Sequence, residues 1–283
     1  MRWAFVAAIF TVFTCECQTR AQSSRPNIVL VFADDVGQEV LGCYGGESYH
    51  TPNIDKLAET GTRFEHCYSM PMCSPSRTCI LTGRYPFRSG THLPEAWGTI
   101  PSDETTFAHL LQRAGYKTCL TGKWQLNLLK QNPQFPTQMG FDEYFVFGWH
   151  EGPKFYDPLI YHNGKAKIHH GKFGPDLFCD YTIDFMRRNR ERPFVAFYAM
   201  TLAHEISNDL NPPAHPGPSG KYESYKDLVE IMDRNVGRVI TALDDLGLRE
   251  NTIVMFLTDN GTPSRFITDV EIRPNERPRI KYV

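Results

Sequence analysis

The fold of this chain is most constrained by three almost wholly apolar runs, each as long as a β-strand. They cover residues 27–33, 194–200 and 252–257. A continuous apolar run of this length is typical of a strand buried on both faces, as in a parallel sheet covered by helices. Segments with helical character separate the runs, and the apolar residues from Leu228 to Leu243 recur with the spacing of one helical face. Strands that alternate with helices predict an α/β fold in which helices sandwich a mostly parallel sheet.

Turn and capping residues place the shorter elements between these runs. Gly61, Gly83 and Gly115 each end a helical pattern, because glycine adopts the left-handed conformation that closes a helix. The sequence predicts helices over 54–60, 74–82, 105–114 and 180–190, strands over 62–68 and 116–120, and loops over 131–140 and 211–220. Residues 271–283 hold six charged residues and two prolines, which predicts an irregular tail.

Composition excludes several classes of protein. The chain has 283 residues, of which 41% are hydrophobic and 22% charged, and its formal net charge is −2. These values are globular and unlike those of disordered, collagen-like or coiled-coil chains. A charge so close to zero gives no electrostatic reason to expect nucleic acid as a partner. At roughly 150 residues per domain, the length allows one large domain or two small ones.

The first 21 residues predict a secretory signal peptide. Arg2 precedes an uncharged apolar run over 3–13, and residues 19–21 (Thr-Arg-Ala) form a small-x-small cleavage site. The run is shorter than the ~20 residues of a membrane-spanning helix, and no other stretch is apolar enough to span. We therefore expect export to the periplasm or the extracellular space. Lipid attachment at Cys15 is less favoured, because the residues before it match a lipidation site poorly.

Six cysteines follow that segment, and their number and spacing limit their roles. An even number in an exported protein favours disulfides, with the pairing left open. The six lie apart and contain no Cys-x-x-Cys pair, which disfavours a zinc site. They are Cys43, Cys67, Cys73, Cys79, Cys119 and Cys179.

Acidic and amide side chains follow two of the predicted buried strands. Asp34 and Asp35 come directly after the first, and Asp259 and Asn260 follow the last. Ligands of parallel α/β sheets gather at the carboxyl ends of the strands, and an all-oxygen set suits Ca²⁺ or Mg²⁺. An Asp after a strand is more often a turn or capping residue, but two such pairs together favour a metal site.

The segment from Cys73 to Arg77 (Cys-Ser-Pro-Ser-Arg) has a spacing that suits an anion. Cys73 precedes a predicted helix whose N-terminal amides and dipole attract negative charge, and Arg77 lies one turn later on the same side. Only three residues separate the two, so this is not a cysteine-phosphatase loop, which needs five. The alternative is a buried structural cysteine before an ordinary helix that begins with proline.

Several segments together resemble one family. They are Cys73-x-Pro-x-Arg with Leu81-Thr82-Gly83-Arg84, residues 25–29 leading into Asp34-Asp35, residues 51–55, Gly122-Lys123-Trp124 and residues 258–261. These segments occur along the chain in the family's order, and together they resemble the type I sulfatases, the formylglycine-dependent branch of the alkaline phosphatase superfamily. The resemblance runs from about residue 25 to residue 262 and implies the α/β fold of that superfamily.

The resemblance implies a chemistry for the motif cysteine. In such enzymes it is oxidised after translation to formylglycine, so a formylglycine-generating or sulfatase-maturating enzyme would be a partner. One hydroxyl of the hydrated aldehyde attacks the sulfate sulfur and expels the alcohol. The other hydroxyl then loses its proton, which ejects sulfate and restores the aldehyde.

The resemblance also implies roles for the surrounding residues. Arg77 would orient the hydrated aldehyde, Lys123 would neutralise charge on the sulfate, and His204 matches a histidine that binds sulfate or serves the leaving group. A bound Ca²⁺, with Mg²⁺ as the alternative, would polarise the sulfate oxygens. The implied metal ligands are Asp34, Asp35, Asp259, Asn260 and the residue at Cys73.

The chain departs from the family pattern in three places. Gln125 stands where the family usually has histidine; it can bind substrate oxygen but cannot transfer a proton at neutral pH. The usual His-x-Pro reads His204-Glu205-Ile206, so a structural histidine remains the alternative. Only 22 residues follow Gly261, and Lys281 lacks the glycine-rich setting of a further active-site lysine. We therefore expect residues 25–270 to form an incomplete N-terminal catalytic domain, truncated before a C-terminal subdomain.

These features predict hydrolysis of sulfate esters on a small molecule or a glycan. The alternatives are a phosphomonoester or phosphonate hydrolase on the same scaffold, and an inactive fragment. Loops over 85–104, 125–163 and 205–223 would set specificity. Within or near them, Trp97, Trp149 and Tyr156 either stack on a sugar or pack in the interior.

Overall fold

A computed structural model describes most of the chain beyond the predicted signal peptide. The described residues are 25–91, 99–149, 151–204 and 225–264, with the backbone of 267–271 and 279–282. The predicted signal peptide, the predicted loop over 211–220 and Trp97 lie outside these ranges. Within them, no helix is both long enough and apolar enough to cross a membrane.

A seven-stranded sheet forms the centre of the molecule. Its strands are β1 (Asn27–Ala33), β2 (Lys117–Lys123), β3 (Glu143–Phe147), β4 (Leu159–His162), β5 (Lys165–Ile168), β6 (Phe194–Ala199) and β7 (Thr252–Thr258). The order is β5-β4-β3-β2-β6-β1-β7. Neighbours from β3 to β7 in this order run parallel, whereas β4 and β5 add an antiparallel edge. The predicted mostly parallel sheet is confirmed.

Helices cover both faces of this sheet. They are α1 (Pro52–Glu59), α2 (Cys73–Thr82), α3 (Pro86–Ser89), α4 (Phe107–Arg113), α5 (Phe135–Gln138), α6 (Gly174–Arg188) and α7 (Tyr225–Asp245). Because successive side chains of a strand point to opposite faces, Val31 packs in one core cluster and Phe32 in the other. The first cluster includes apolar residues of α6 and α7, and the second includes Leu81 of α2 and Ala108 of α4. The predicted helical sandwich is therefore also confirmed.

Three predictions of local structure are wrong. The segment 62–68 forms no strand: no strand of the described residues pairs with it, and it leaves Phe64 66% and Tyr68 88% exposed. The predicted loop over 131–140 contains the short helix α5. The tail over 271–283 is not irregular throughout, since β8 (Ile267–Glu271) pairs antiparallel with β9 (Arg279–Tyr282).

The sequence also missed β3, β4 and β5, which are short and carry mixed polar and apolar residues. The remaining predicted helices and strands are present, with ends displaced by up to six residues. The prediction that residues 252–257 are buried on both faces is wrong, because β7 is last in the strand order and leaves Ile253 48% and Met255 38% exposed. The six cysteines of the described ranges are free thiols, so the favoured disulfides do not appear there. Cys119 and Cys179 lie in the core, where they pack as small apolar residues.

Candidate active site

The carboxyl ends of four parallel strands meet along one edge of the sheet. Asp34 follows β1, Asp259 follows β7, Lys123 ends β2, and His204 lies beyond the end of β6. Backbone hydrogen bonds continue the ladder past the strands: the amide of Asp34 donates to the carbonyl of Leu202 at 2.8 Å, and that of Asp259 donates to Ala33 at 3.1 Å. The strand ends therefore hold the predicted metal ligands in a fixed backbone frame.

Gly122 permits the close approach of β2 and β6 just before Lys123. Its φ is +92°, and a Cβ there would lie 1.9 Å from the carbonyl oxygen of Ala199. No residue with a side chain fits at that distance without moving the backbone. A glycine thus precedes Lys123 for a steric reason: it lets β2 stay close to β6 up to its last residue, so that Lys123 is held at the site by the sheet.

Helix α2 carries Cys73 and Arg77 into the same edge. Its first turn is held by two serine hydroxyls: Ser74 donates to the carbonyl oxygen of Gln125 at 3.2 Å, and Ser76 donates to that of Asp259 at 2.5 Å. The helix start is therefore bound to the loops that follow β2 and β7. Ser74 and Ser76 occupy the two unspecified positions of the motif Cys-x-Pro-x-Arg, and the sequence did not indicate that they hold the helix in place.

Cys73 lies against the carboxylate of Asp34. Its Sγ is 3.4 Å from Asp34 Oδ1. Burial raises the pKa of the thiol well above its ordinary value; Lys123 opposes the rise, and the carboxylates of Asp34 and Asp259 add to it. The side chain at residue 73 is consequently a thiol, not a thiolate, at neutral pH.

Asp34 receives two cations and is fully buried. The Nζ of Lys123 lies 2.7 and 2.9 Å from its two carboxylate oxygens, and an Nη of Arg77 lies 3.3 Å from Oδ1. Burial alone would raise the pKa of this carboxyl, but Lys123 and Arg77 outweigh it and hold the pKa well below its usual range. Asp34 is thus an anion in the folded protein.

Arg77 joins the two carboxylates across the site. The same Nη lies 3.0 Å from Asp259 Oδ2, Nη1 donates to the carbonyl oxygen of Lys123, and the guanidinium stacks 5.4 Å from the centroid of the Phe32 ring. Burial favours the neutral form, yet Asp34 and Asp259 raise the pKa of Arg77 above its usual value. We call Asp34, Arg77, Lys123 and Asp259 the charged cluster.

Asp259 differs from Asp34 although both are buried. Burial and the neighbouring charge of Asp34 raise the pKa of Asp259 well above its usual value, and Arg77 offsets only part of this. The physical reason is that both oxygens of Asp34 meet the ammonium of Lys123, whereas Asp259 receives a single guanidinium contact. Asp259 therefore favours an additional cation more strongly than Asp34 does.

Asp35 and Asn260 complete the metal ligands that the sequence predicted. Asp35 adopts a φ of +59°, which turns its side chain back towards the strand ends. The amide of Asn260 donates to Asp35 Oδ1 at 2.7 Å, and the backbone N–H of Asp35 donates to Asp259 Oδ1 at 3.1 Å. The hydroxyl of Tyr225 donates to the backbone carbonyl of Asp35, so α7 supports this turn.

These residues fit a hard divalent cation. One ligand atom each from Asp34, Asp35, Asp259 and Cys73 lies within 4.8 Å of the other three. Asn260 Oδ1 is buried and has no hydrogen-bond partner among the described residues. An orphaned amide oxygen beside three carboxylates is a donor set for Ca²⁺ or Mg²⁺. When Asp34, Asp35 and Asp259 are all ionised, Lys123 and Arg77 neutralise two of the three charges, which leaves one net negative charge.

A second group of side chains meets the cluster at Asp35. His204 Nε2 lies 3.7 Å from Asp35 Oδ2, and its Nδ1 lies 3.0 Å from Nζ of Lys154. Lys154 is 3% exposed. Nothing in the sequence indicates this burial, because Lys154 lies in the connection between β3 and β4, where polar and aromatic residues are mixed without a regular pattern. We call Lys154 and His204 the histidine arm.

Two further predicted residues have distinct surroundings. Gln125 adopts a φ of +53°, and its Oε1 is buried without a hydrogen-bond partner among the described residues. Among the described residues, no hydrogen bond joins its side chain to the charged cluster. Tyr156 is buried and packs 5.2 Å from the ring of Phe173, which favours the packing role over stacking on a sugar.

Comparisons with known proteins all match this chain to sulfatases. A family model described as Sulfatase matches residues 26–271. N-acetylgalactosamine-6-sulfatase of Canis lupus familiaris is 34% identical over 83% of this chain and 50% of its own length. N-acetylglucosamine-6-O-sulfatase of Bacteroides thetaiotaomicron is 33% identical over 77% of this chain and 39% of its own length. The chain thus spans about half the length, or less, of these curated relatives.

A solved structure gives the same result for the fold. It is that of BT4656 in complex with D-glucosamine-2-N,6-O-disulfate, with a TM-score of 0.70 and 26% identity. The match covers 84% of this chain and 66% of that one.

Proposed function

The chain belongs to the sulfatase family, and from that premise we propose that it hydrolyses sulfate esters at the site around Cys73. One observation carries the proposal: the motif cysteine begins α2 at 3.4 Å from Asp34, inside a group of ligand atoms that fits a divalent cation. A structural cysteine before an ordinary helix would be surrounded by apolar side chains. Cys73 instead faces carboxylates, an ammonium and a guanidinium.

We propose further that Cys73 is matured to formylglycine. The position of its Sγ supports this, because a partly buried thiol 3.4 Å from the carboxylate of Asp34 is a weak nucleophile without modification. Maturation breaks the C–S bond and one C–H bond at Cβ of Cys73 and forms a C=O bond there, so the sulfur leaves and a partner enzyme must supply the oxidant and the oxygen atom. The hydrated aldehyde would supply a hydroxyl nucleophile and a second hydroxyl whose deprotonation regenerates the carbonyl.

Other residues of the chain would orient residue 73, neutralise charge on the sulfate and hold the metal ion. Arg77, held by both carboxylates, fixes the side chain at residue 73 relative to the metal ligands. Lys123 brings its positive charge to the same edge, where it offsets the charge of a sulfate group. Asp34, Asp35, Asp259 and Asn260 would hold Ca²⁺, with Mg²⁺ as the alternative. The ion would supply Lewis-acid polarisation of sulfate oxygens.

The substrate class follows from the relatives. The names of two relatives specify 6-sulfated amino sugars, and a structural neighbour was solved with a glucosamine disulfate. We propose a sulfated glycan or a sugar derived from one. Export is part of the same proposal and rests on the signal-like residues 1–21.

Peptide mass analysis tests the proposal most directly. The protein is produced together with a sulfatase-maturating enzyme, and trypsin releases residues 64–77. We expect residue 73 to carry an aldehyde while Cys67, in the same peptide, remains a thiol that can be alkylated. Cys73→Ala provides the unmodified control.

Activity then separates the candidate reactions. An aryl sulfate and an aryl phosphate with the same leaving group are assayed side by side, with and without Ca²⁺. The proposal requires turnover of the sulfate by the matured protein and none by Cys73→Ala. Preferential turnover of the phosphate would favour the phosphomonoester alternative, and an intact thiol at residue 73 would contradict the formylglycine mechanism.

A further inference from the structure

We propose that Ser76 is a positioning residue for Asp259, the aspartate that follows β7. Its hydroxyl binds the backbone carbonyl of Asp259 and thereby leaves the amide of Asp35 to the carboxylate of the same aspartate. The carboxylate is held in this way among the candidate metal ligands. The hydrogen-bond pattern stands on geometry alone, whereas its consequence for Ca²⁺ and for substrate rests on the proposed function.

The ladder between β1 and β7 is regular up to its last pair. Ala33 lies opposite Thr258, and the amide of Asp259 donates to the carbonyl oxygen of Ala33 at 3.1 Å. The hydrogen bonds of a parallel pair follow one another at even spacing. The next bond of this ladder would therefore join the amide of Asp35 to the carbonyl oxygen of Asp259.

A side chain takes the place of that carbonyl. The amide of Asp35 donates to Oδ1 of Asp259 at 3.1 Å. Asp259 is fully buried, so its displaced carbonyl needs another donor. The hydroxyl of Ser76 supplies it at 2.5 Å and lies farther, 3.1 Å, from the carbonyl oxygen of Met70. Ser76 thus satisfies the backbone acceptor that the carboxylate has replaced.

Two consecutive residues of α2 fix Asp259 from both ends. Ser76 binds its backbone, and Arg77 lies 3.0 Å from Oδ2 of its side chain. Among the strands of the described residues β7 is last in the order, so only β1 supports its end within the sheet. The helix that begins at Cys73 supplies the second support, which couples the position of residue 73 to that of the carboxylate.

Loss of the Ser76 hydroxyl should weaken this arrangement without removing a ligand. The carbonyl and Oδ1 of Asp259 would then compete for the single amide proton of Asp35. A carboxylate released in this way must be ordered again when a cation binds. We expect the Kd for Ca²⁺ to rise about fivefold, which corresponds to about 1 kcal/mol and is the size of the cost of ordering one residue.

Calorimetric titration of the full, chelator-treated chain with Ca²⁺ tests the proposal. Ser76→Ala should show the weaker binding. Ser74→Ala is the matched control, because its hydroxyl lies in the same helical turn but donates to the carbonyl of Gln125, which is not a metal ligand. We expect Ser74→Ala to bind Ca²⁺ as the wild type does.

A second control separates positioning from a general loss of stability. The hydroxyl of Ser89 is also buried and donates to the carbonyl oxygen of Pro86 at 3.2 Å, in α3. Ser89→Ala should lower the urea midpoint of the metal-free chain but leave the Kd unchanged. An unchanged Kd in Ser76→Ala, or an equal rise in either control, would overturn the proposal. A crystal structure of the wild type in which the Asp35 amide donates to the Asp259 carbonyl would overturn it even if Ser76→Ala did not fold.

Kinetics on matured protein distinguishes this inference from the proposed function. Ser76→Ala should lose turnover of an aryl sulfate at limiting Ca²⁺ and regain it at saturating Ca²⁺, because every ligand is still present. A loss that saturating Ca²⁺ does not restore would contradict the positioning role. The expected change in Kd in a protein without sulfatase activity would leave the positioning intact and refute the proposed function.

Discussion

The charged cluster and the histidine arm meet at Asp35 but are built in different ways. The cluster stands on strand ends and on the first turn of α2, and its four side chains are at most 4% exposed. The arm stands on connections beyond β3 and β6, and the side chain of His204 is 26% exposed. Each charged side chain of the cluster forms an ion pair with another member of it, whereas the arm places one edge of an imidazole ring at the site. We therefore expect substitutions in the cluster to lower the stability of the fold, and substitutions in the arm to change substrate binding more than stability.

The comparison predicts the largest loss of stability at Arg77. Arg77→Met removes the guanidinium and leaves Asp34 and Asp259 close together in the interior. Breaking a buried ion pair from one side costs about 3–5 kcal/mol of unfolding free energy. Urea denaturation of the metal-free chain measures the loss.

Arg187→Met is the matched control for that change. Its guanidinium is 64% exposed and pairs with Asp184 on the surface of α6, so we expect a loss of at most about 1 kcal/mol. Equal losses for the two variants would mean that the buried network does not differ from a surface pair.

Calcium should stabilise the folded protein through the carboxylates of the cluster. An ion that binds only the folded state at 100 times its Kd adds about 2.7 kcal/mol. We expect Ca²⁺ to raise the Tm of the wild-type chain and a chelator to reverse the rise. Asp259→Asn should abolish most of the effect, while Asp184→Asn on the surface should keep it. A full calcium effect in Asp259→Asn would place the ion elsewhere.

The opposite pKa directions of the two aspartates predict opposite pH responses of the metal-free protein. The depressed pKa of Asp34 stabilises the fold above the ordinary carboxyl pKa, and this contribution is lost as the pH falls through the lowered value. The raised pKa of Asp259 works the other way: its contribution is present at low pH and is lost as the pH rises through the raised value.

Metal-free Asp259→Asn should therefore gain stability relative to the wild type as the pH rises towards neutrality. Chemical denaturation at a series of pH values, with chelator present, follows the difference. Parallel curves for the two proteins would show that Asp259 ionises as an ordinary carboxyl.

Gln125→His should have the smallest effect on stability of these variants, in contrast to substitutions in the charged cluster. Gln125 already adopts a positive φ, a conformation in which histidine is more common than most residues. We expect a change in unfolding free energy below about 1 kcal/mol. In matured protein the imidazole should increase turnover of sulfates with poor leaving groups, because it can transfer a proton. Gln125→Asn, which cannot, should give no such increase.

Local spacing made much of the site readable from the sequence. Asp34, Asp35, Asp259 and Asn260 were predicted because a parallel sheet brings its strand ends together whatever the connections between them. Cys73 and Arg77 were predicted because one helical turn fixes their separation. The same logic failed for residues 62–68, where a strand was predicted but no strand of the described residues pairs with the segment.

By itself, the sequence determined the α/β class, the two buried strands β1 and β6, and the motif residues that converge at the strand ends, since all of these depend on periodicity and on short fixed spacings. That β7 exposes one face was decided only by its place in the sheet. Only the tertiary structure decided how the charges pair. Asp34 and Asp259 are equivalent in sequence, yet Lys123 meets both oxygens of the first and Arg77 makes a single contact with the second. Likewise, nothing local to Lys154 shows that it is buried beside His204, 50 residues further along the chain. Pair energies and pKa values depend on distance in space and on exclusion of water, and neither can be read from separation along the chain.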